Sequence, residues 1–338
     1  MSKFSLEVLN KRVFPYLASN DTDVILGSKF GEDVALTRLG GNILVSHMDP
    51  IIGAVKDIGR LAVHVACNDI ATSGTPPRWL QVLVLVPKKE DEDLLEIIMA
   101  DIGRGAKETQ TSIIGGHAGY SASLSRPLVA VTALGTLINL EPVYTKGAKP
   151  GDHVLISKGI PLEGTAILAN DFSKAALKLG LTEEDLSEAR QLMGQVSVIP
   201  EALIFAKHGA TSMHDVTRGG LLETLLEIAD LSNNCIRIDY EMIPISRVCD
   251  RFANAFGFDP LMMISSGTLV ATIPPEHVND AKQALRQAGI AYSDIGEVVS
   301  GEGVKILRDC EMLHYQEIQP DKDELARIWL EFKPDRSK

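Results

Sequence analysis

Cysteine, basic charge and long apolar runs are all scarce in this 338-residue chain. Its four cysteines, Cys67, Cys235, Cys249 and Cys310, are widely and irregularly spaced. That spacing excludes a CxxC redox pair, a zinc ribbon and a small disulfide framework, and leaves them as reduced packing residues. The formal net charge is −12 and no Lys/Arg block offsets it, so a nucleic-acid partner is excluded. In that acidic field a phosphorylated ligand needs metal ions or local backbone donors. No run approaches the roughly 18 apolar residues of a membrane span, and MSKFSLEVLNKRVFPYL lacks the apolar stretch of a secretory leader. We therefore expect a cytoplasmic protein without membrane contact. Neither GxxxxGK[ST] nor GxGxxG occurs, which removes the common nucleotide loops; low-complexity segments and short repeats are also missing.

What is present is the composition of a soluble globular chain, 45% hydrophobic and 23% charged, long enough for one large or two ordinary domains. A Pro/Gly-rich turn, KPGD, before the apolar HVLIS places a boundary near residue 150, giving domains 1–150 and 151–338. In the first, strand-like runs at 42–49, 79–87, 111–116 and 128–138 alternate with helical patterns around 55–72 and 91–109, an α/β or α+β arrangement. In the second, helices are expected at 161–170, 183–194, 198–208, 218–230 and 275–289. Strands are expected at 153–157, 236–240, 267–274 and 292–299, the last two joined by a helix as in half of a ferredoxin-like unit.

The chemistry-bearing residues are carboxylates at element ends. Asp69 continues the apolar face Ile58, Leu61, Ala62, Val65 of a helix that must stop near Ser73-Gly74, so it points inward where the helix dipole is already negative. It either bonds the Ser-Gly-Thr turn or needs a cation against it. Asp33 lies in the glycine-bearing turn GSKFGEDVAL, and Asp49 ends the strand NILVSHMD before Pro50. Each can be an ordinary turn or strand-end acid. Together the three acids suit a hard cation such as magnesium.

Two glycine segments complement them. TSIIGGHAGYS runs from a strand into a Gly115-Gly116 turn whose N–H groups could meet an anion, and His117 follows it. In HDVTRGGLLETLLEIAD, Asp215 or Thr217 can cap a helix. Gly219 and Gly220 then either leave its amino end open to phosphate or only begin a core helix.

In order, GEDVAL, SHMDP, NDIATSGTPP, IIGGHAG, KPGDHVLIS, HDVTRGGL and DPLMMISSGTLV resemble the superfamily of AIR synthetase, selenophosphate synthetase, thiamine-monophosphate kinase and the hydrogenase maturation factor HypE. The motifs run from about residue 24 to 310, and HypE-like, AIR-synthase-related proteins look most similar. The resemblance implies a two-domain PurM-like fold of α/β plus α+β class: an N-terminal domain that forms an eight-stranded β-barrel across a homodimer, and a C-terminal α+β domain. It implies ATP and Mg2+ in the cleft between domains and phosphorylation of a substrate oxygen, often an amide oxygen. Asp33, Asp49 and Asp69 would hold magnesium. Asn68, Gly115, Gly116, Gly219 and Gly220 would join them around the nucleotide, and His117 and Asp215 would serve catalysis. The substrate would be a small molecule or protein-bound, and a hydrogenase assembly factor is an implied partner.

The chain departs from the family pattern in four places. It ends EFKPDRSK where HypE relatives end in a carrier cysteine, and Cys310 is well short of that end. Its loop DTDVILGSKFGED has Lys29 but no cysteine, unlike selenophosphate synthetase. His117 stands where thiamine-monophosphate kinase and HypE have an acid, and Met48 replaces a threonine before Asp49.

Overall fold

A computed structural model describes residues 4, 6–17, 21–29, 31–52, 57–138, 141–317 and 323–335. The first domain runs α1 (Leu6–Arg12), β1 (Val24–Leu26), β2 (Ala35–Leu39), β3 (Asn42–Ile52), α2 (Ile58–Thr72), β4 (Pro77–Val86), α3 (Glu92–Glu108), β5 (Ser112–Tyr120) and β6 (Leu128–Ile138). Its six strands form an open sheet in the order β1-β2-β3-β6-β4-β5. All neighbours are antiparallel except β4 and β5, which α3 joins as a parallel crossover. Among the described residues neither sheet closes into a barrel.

One face of this sheet is covered. Period-two alternation points Val82, Val84, Val86, Val129, Val131 and Ala133 at α2 and α3, where Ile58, Ala62, Ala66, Ile70, Ile98 and Ile102 meet them in one core. The opposite face is open, with Met48 64% exposed and Ile138 58%.

The second domain runs β7 (His153–Ser157), α4 (Leu162–Asp171), α5 (Ser173–Lys178), α6 (Glu183–Gln191), α7 (Ile199–Lys207), β8 (Ser212–Asp215), α8 (Gly220–Ser232), β9 (Cys235–Asp239), α9 (Arg247–Phe256), β10 (Leu269–Ile273), α10 (Pro275–Gln287), β11 (Tyr292–Val299), β12 (Gly303–Arg308), β13 (Glu311–Tyr315) and α11 (Glu324–Glu331). Its seven-stranded sheet has the order β13-β12-β9-β11-β7-β10-β8. Strands β10 and β11 are both antiparallel to β7, which lies between them. With α10 as crossover they complete the split βαβ unit of which the sequence showed half.

Helix α2 joins the domains. Its apolar spacing predicts one inward face, but fourteen of its fifteen residues are buried. One side packs on the first sheet, while Leu61 and Val65 meet Val196 of the second domain. Asn68 donates to the Val196 carbonyl at 2.8 Å and accepts from the Val198 N–H at 2.9 Å. A helix buried all round suits a position between two layers. Residues 55 and 56, expected in this helix, lie outside the described residues.

Candidate active site at the domain interface

Four elements bring titratable side chains together where α2 meets the second domain. On β3, alternation sends His47 and Asp49 to the same face as buried Val45. His47 reaches both neighbouring segments: its Nδ1 bonds the Asp33 carbonyl just before β2, and its Nε2 lies 3.1 Å from Asp69 Oδ2 on α2. Asp69 therefore has a side-chain partner for its inward carboxylate. Nearby, Thr72 donates its hydroxyl to the Asp69 carbonyl at 2.7 Å.

The second domain supplies β8 and α8. His214 Nε2 lies 2.8 Å from Glu227 Oε2 and 3.4 Å from Asp33 Oδ1, while His214 Nδ1 is 2.8 Å from the Asp215 carbonyl. Burial alone would depress the His214 pKa, but Asp33, then Glu227 and Asp215, push it up to about 10. Burial holds the Asp33 carboxyl above the usual range against the opposing pull of His214. One Asp33 oxygen, Oδ2, is buried without a hydrogen bond.

Among the described residues Asp33, His214 and Asp215 form a group whose possible ligand atoms all lie within 4.8 Å of one another. Asp33, Asp49 and Asp69, expected to share magnesium, do not form such a group. His47 stands between Asp33 and Asp69, and Asp49 faces the second domain, where its charge reaches Glu163. Glu163, in the first turn of α4, accepts from the Ser266 N–H at 3.3 Å. Burial chiefly, with Asp49 adding to it, raises its pKa.

The glycine segments differ from expectation. Gly115 and Gly116 lie inside β5 rather than in a turn, with a register shift opposite Leu80-Gln81. A Cβ on Gly116 would meet the Val82 carbonyl oxygen at 1.9 Å, so glycine serves the close approach of β5 to β4. His117 is exposed on that edge strand. Its register partners run through Leu83 and Ala130 to Pro50, so three strand spacings, about 14 Å, separate it from the Asp49 end of β3. One chain does not bring it to the carboxylates.

Helix α8 is capped by Gly219 in the left-handed region, φ 83°, not by Asp215 or Thr217. A Cβ on Gly219 would overlap Glu223 Oε2 at 1.8 Å, so the helix's own first-turn acid lies over the amino end expected to be open. Asn68, expected at the nucleotide, has its amide engaged by Val196 and Val198.

Sequence reasoning missed His47, His214, Glu163 and Glu227. His47 was within reach, since it precedes Asp49 by two on a strand. Nothing local couples His214 to Asp33, which is 181 residues away by the numbering. A cavity of about 510 Å³ on the second sheet, lined by His153, Arg237, Asp294 and Met312, lies away from this cluster.

The comparisons agree with this architecture. The model of the AIR synthase related protein N-terminal domain matches residues 31–137, and that of the C-terminal domain matches 149–309. The chain belongs to the AIR synthase-related family and is an enzyme of the AIR synthase/HypE superfamily. It is 30% identical over 285 residues to carbamoyl dehydratase HypE of Rhizobium leguminosarum bv. viciae, covering 80% of this chain and 78% of that one. It is 28% identical over 323 residues to selenide, water dikinase of Nitratidesulfovibrio vulgaris, covering 84% and 88%. HypE in a HypE–HypF complex superposes with a TM-score of 0.75 at 23% identity, covering 91% of this chain and 99% of that one. A ThiL bound to AMPPCP and TMP gives 0.71 at 19% identity, covering 94% and 96%. No helix among the described residues is long and apolar enough to cross a membrane.

Proposed function

We propose that this enzyme uses ATP and magnesium to phosphorylate an oxygen of its substrate, in the manner of a HypE-like activating enzyme. The observation that carries the reading is the convergence of acids from both domains, with Asp33 Oδ2 buried and lacking a hydrogen bond. A hard cation fits there. Magnesium retains water and phosphate ligands, so Asp33, Asp49 and Asp69 need supply only one or two oxygens each and need not converge tightly. Bound magnesium would neutralise phosphate charge and align the transferring group.

The chain's own residues do the positioning. His47 fixes Asp69 through Nε2 while its Nδ1 holds the Asp33 backbone, so two of the three acids share one brace. Asn68 and Arg60 anchor α2 to the second domain, Arg60 through the Met193 carbonyl at 3.1 Å. Asp215 faces the same interface from β8. With an amide substrate, the phosphorylated oxygen would leave as phosphate in a later dehydration. Relatives named carbamoyl dehydratase and selenide, water dikinase, and solved structures of HypE with ATP, support this class.

The open sheet face supports a homodimer. Met48, Ile52 and Ile138 expose apolar surface there; a second copy would cover them. The HypE–HypF complex supports a protein-bound substrate delivered by a hydrogenase assembly factor.

Calorimetric titration with an ATP analogue, with and without magnesium, tests the reading. Binding that requires both magnesium and Asp69 supports it, and phosphorus NMR of products then identifies ADP or AMP. Absence of binding in every condition overturns it.

A further inference from the structure

The cavity of about 510 Å³ on the second sheet takes no part in the proposed phosphoryl transfer. Its volume is that of a small-molecule pocket. Alternation turns Ile236, Ile238, Val298 and Ile306 of this sheet toward α8 in one core. Arg237, Asp239, Glu297, Leu307 and His153 therefore stand on the opposite face. There α7 and α10 cover the half made of β7, β10 and β8, and the cavity opens beside them.

Cross-strand register orders the groups along the cavity. Met312 on β13 stands opposite Leu307 on β12, and Leu307 stands opposite Asp239 on β9. Glu297 on β11 lies between Arg237 on β9 and His153 on β7. Met312 and Leu307 are exposed, as is Met242 just after β9, so one end of the cavity is apolar. The other end is polar.

Charge decides what such a space can hold. Arg237 Nη2 donates to Glu297 Oε1. Asp294 Oδ2 accepts from Lys282 Nζ at 2.7 Å and from His153 Nδ1 at 2.8 Å. Both cations are thereby engaged, and an anionic ligand would meet no free one. Asp239 differs from the other two acids: its Oδ1 accepts the Glu241 N–H at 3.0 Å, and it has no ion pair among the described residues. With Nδ1 donating to Asp294, His153 presents Nε2 as a bare acceptor. Two strand spacings, about 10 Å, separate β9 from β7. Side chains lining one cavity narrow that gap to the scale of an ammonium group with a donor for each.

We propose that this cavity binds an aliphatic amine, its ammonium between Asp239 and His153 and its alkyl stem against Leu307, Met312 and Met242. Thioether and branched side chains suit a flexible stem. The net charge of −12 favours approach of a cation. The inference does not rest on the phosphoryl-transfer reading, and neither outcome of the ATP titration alters it.

The experiment titrates the full chain, without nucleotide, with hexylamine, hexanol and hexanoate. It is done at slightly alkaline pH and about 0.15 M salt, where weak surface attraction is screened, and read from carbon-13-labelled methionine methyl signals. The expected result is saturable shifts at Met242 and Met312 with hexylamine, and at least about tenfold weaker affinity for the other two. Asp239→Asn keeps the Oδ1 acceptor of its turn and should weaken hexylamine by a similar factor. N-acetyl-lysine amide has the same head and stem. Tighter binding of it than of hexylamine would assign the amine to a partner protein's lysine, and weaker binding to a free alkylamine; either supports the site. Hexanoate binding as tightly as hexylamine would overturn the proposal and give the cavity to an anion. Shifts that do not saturate, that spread over all nine methionines, or that persist unchanged in Asp239→Asn would overturn it and leave only attraction to an acidic surface. If Asp239→Asn does not fold, the order of the three head groups in the unmodified chain decides.

Discussion

His117 and His214 both lie on edge strands, yet their surroundings are opposite. Strand β5, which carries His117, ends its sheet and is exposed along almost its whole length. Strand β8, which carries His214, also ends its sheet, but all four of its residues are buried. The difference is cover. Helix α2 of the first domain and α8 of the second pack against β8, and this packing puts Asp33 and Glu227 beside His214. An edge strand is a liability until something shields it, and here the shield on one edge also builds the site. A glycine pair beside a histidine therefore signals backbone geometry, while site membership is decided by which element closes over the strand.

The largest expected effect separates the two edges directly. Asp69→Asn should reduce ATP turnover by roughly 100-fold or more, the scale of losing a group that stabilises transferring charge. His117→Ala should leave turnover little changed. A comparable loss in both, measured by phosphate release, would bring His117 into the site through a second copy and break the comparison.

Asn68→Ala tests the cover itself. It would leave the Val196 carbonyl and the Val198 N–H buried without their partner. We expect a loss of about 2–4 kcal/mol for two unmet polar groups, read from denaturant midpoints. An unchanged midpoint would show that the interface does not depend on this bridge.

Met48→Glu sharpens the other side. Placed on the open face, the charge should shift a dimer to monomer in light scattering while the thermal midpoint of the isolated chain stays close to that of the parent. A dimer that survives would put the second copy elsewhere.

The smallest expected effect is a pH dependence. His214 has a folded pKa of about 10 against an ordinary 6.5, so its stabilisation is complete below the ordinary value and is lost as pH rises through the folded one. In chelator-treated protein the thermal midpoint should fall more steeply between neutral pH and pH 10 in the parent chain than in His214→Gln. Parallel slopes would remove the protonated imidazole from the metal-free protein.

Much of this fold was legible because its elements carry strong local periodicity. The strands at 42–49, 79–87 and 128–138 and the helix at 91–109 occur as β3, β4, β6 and α3, with small shifts at the ends. Strand β8 escaped because four buried residues give no alternation to read. Helices α9 and α11 and strands β12 and β13 also went unread. Of the site, Asp33, Asp49, Asp69 and Asp215 stood out by their positions at element ends. Asn68 was read as a cofactor contact because sequence does not show that α2 has a second domain on its far side.

The sequence by itself determined the two AIR synthase-related domains, the alternation that turns His47 and Asp49 inward, and the glycines without which β5 could not approach β4 and α8 could not begin. Those properties are local, set by side-chain period and by steric limits on φ. The tertiary structure decided that Asp33 meets His214, that Asn68 spans the interface and that Asp69 is braced by His47. Each of these needs two segments distant in the chain to be pressed together, and burial then gives the charges a strength that no local pattern encodes.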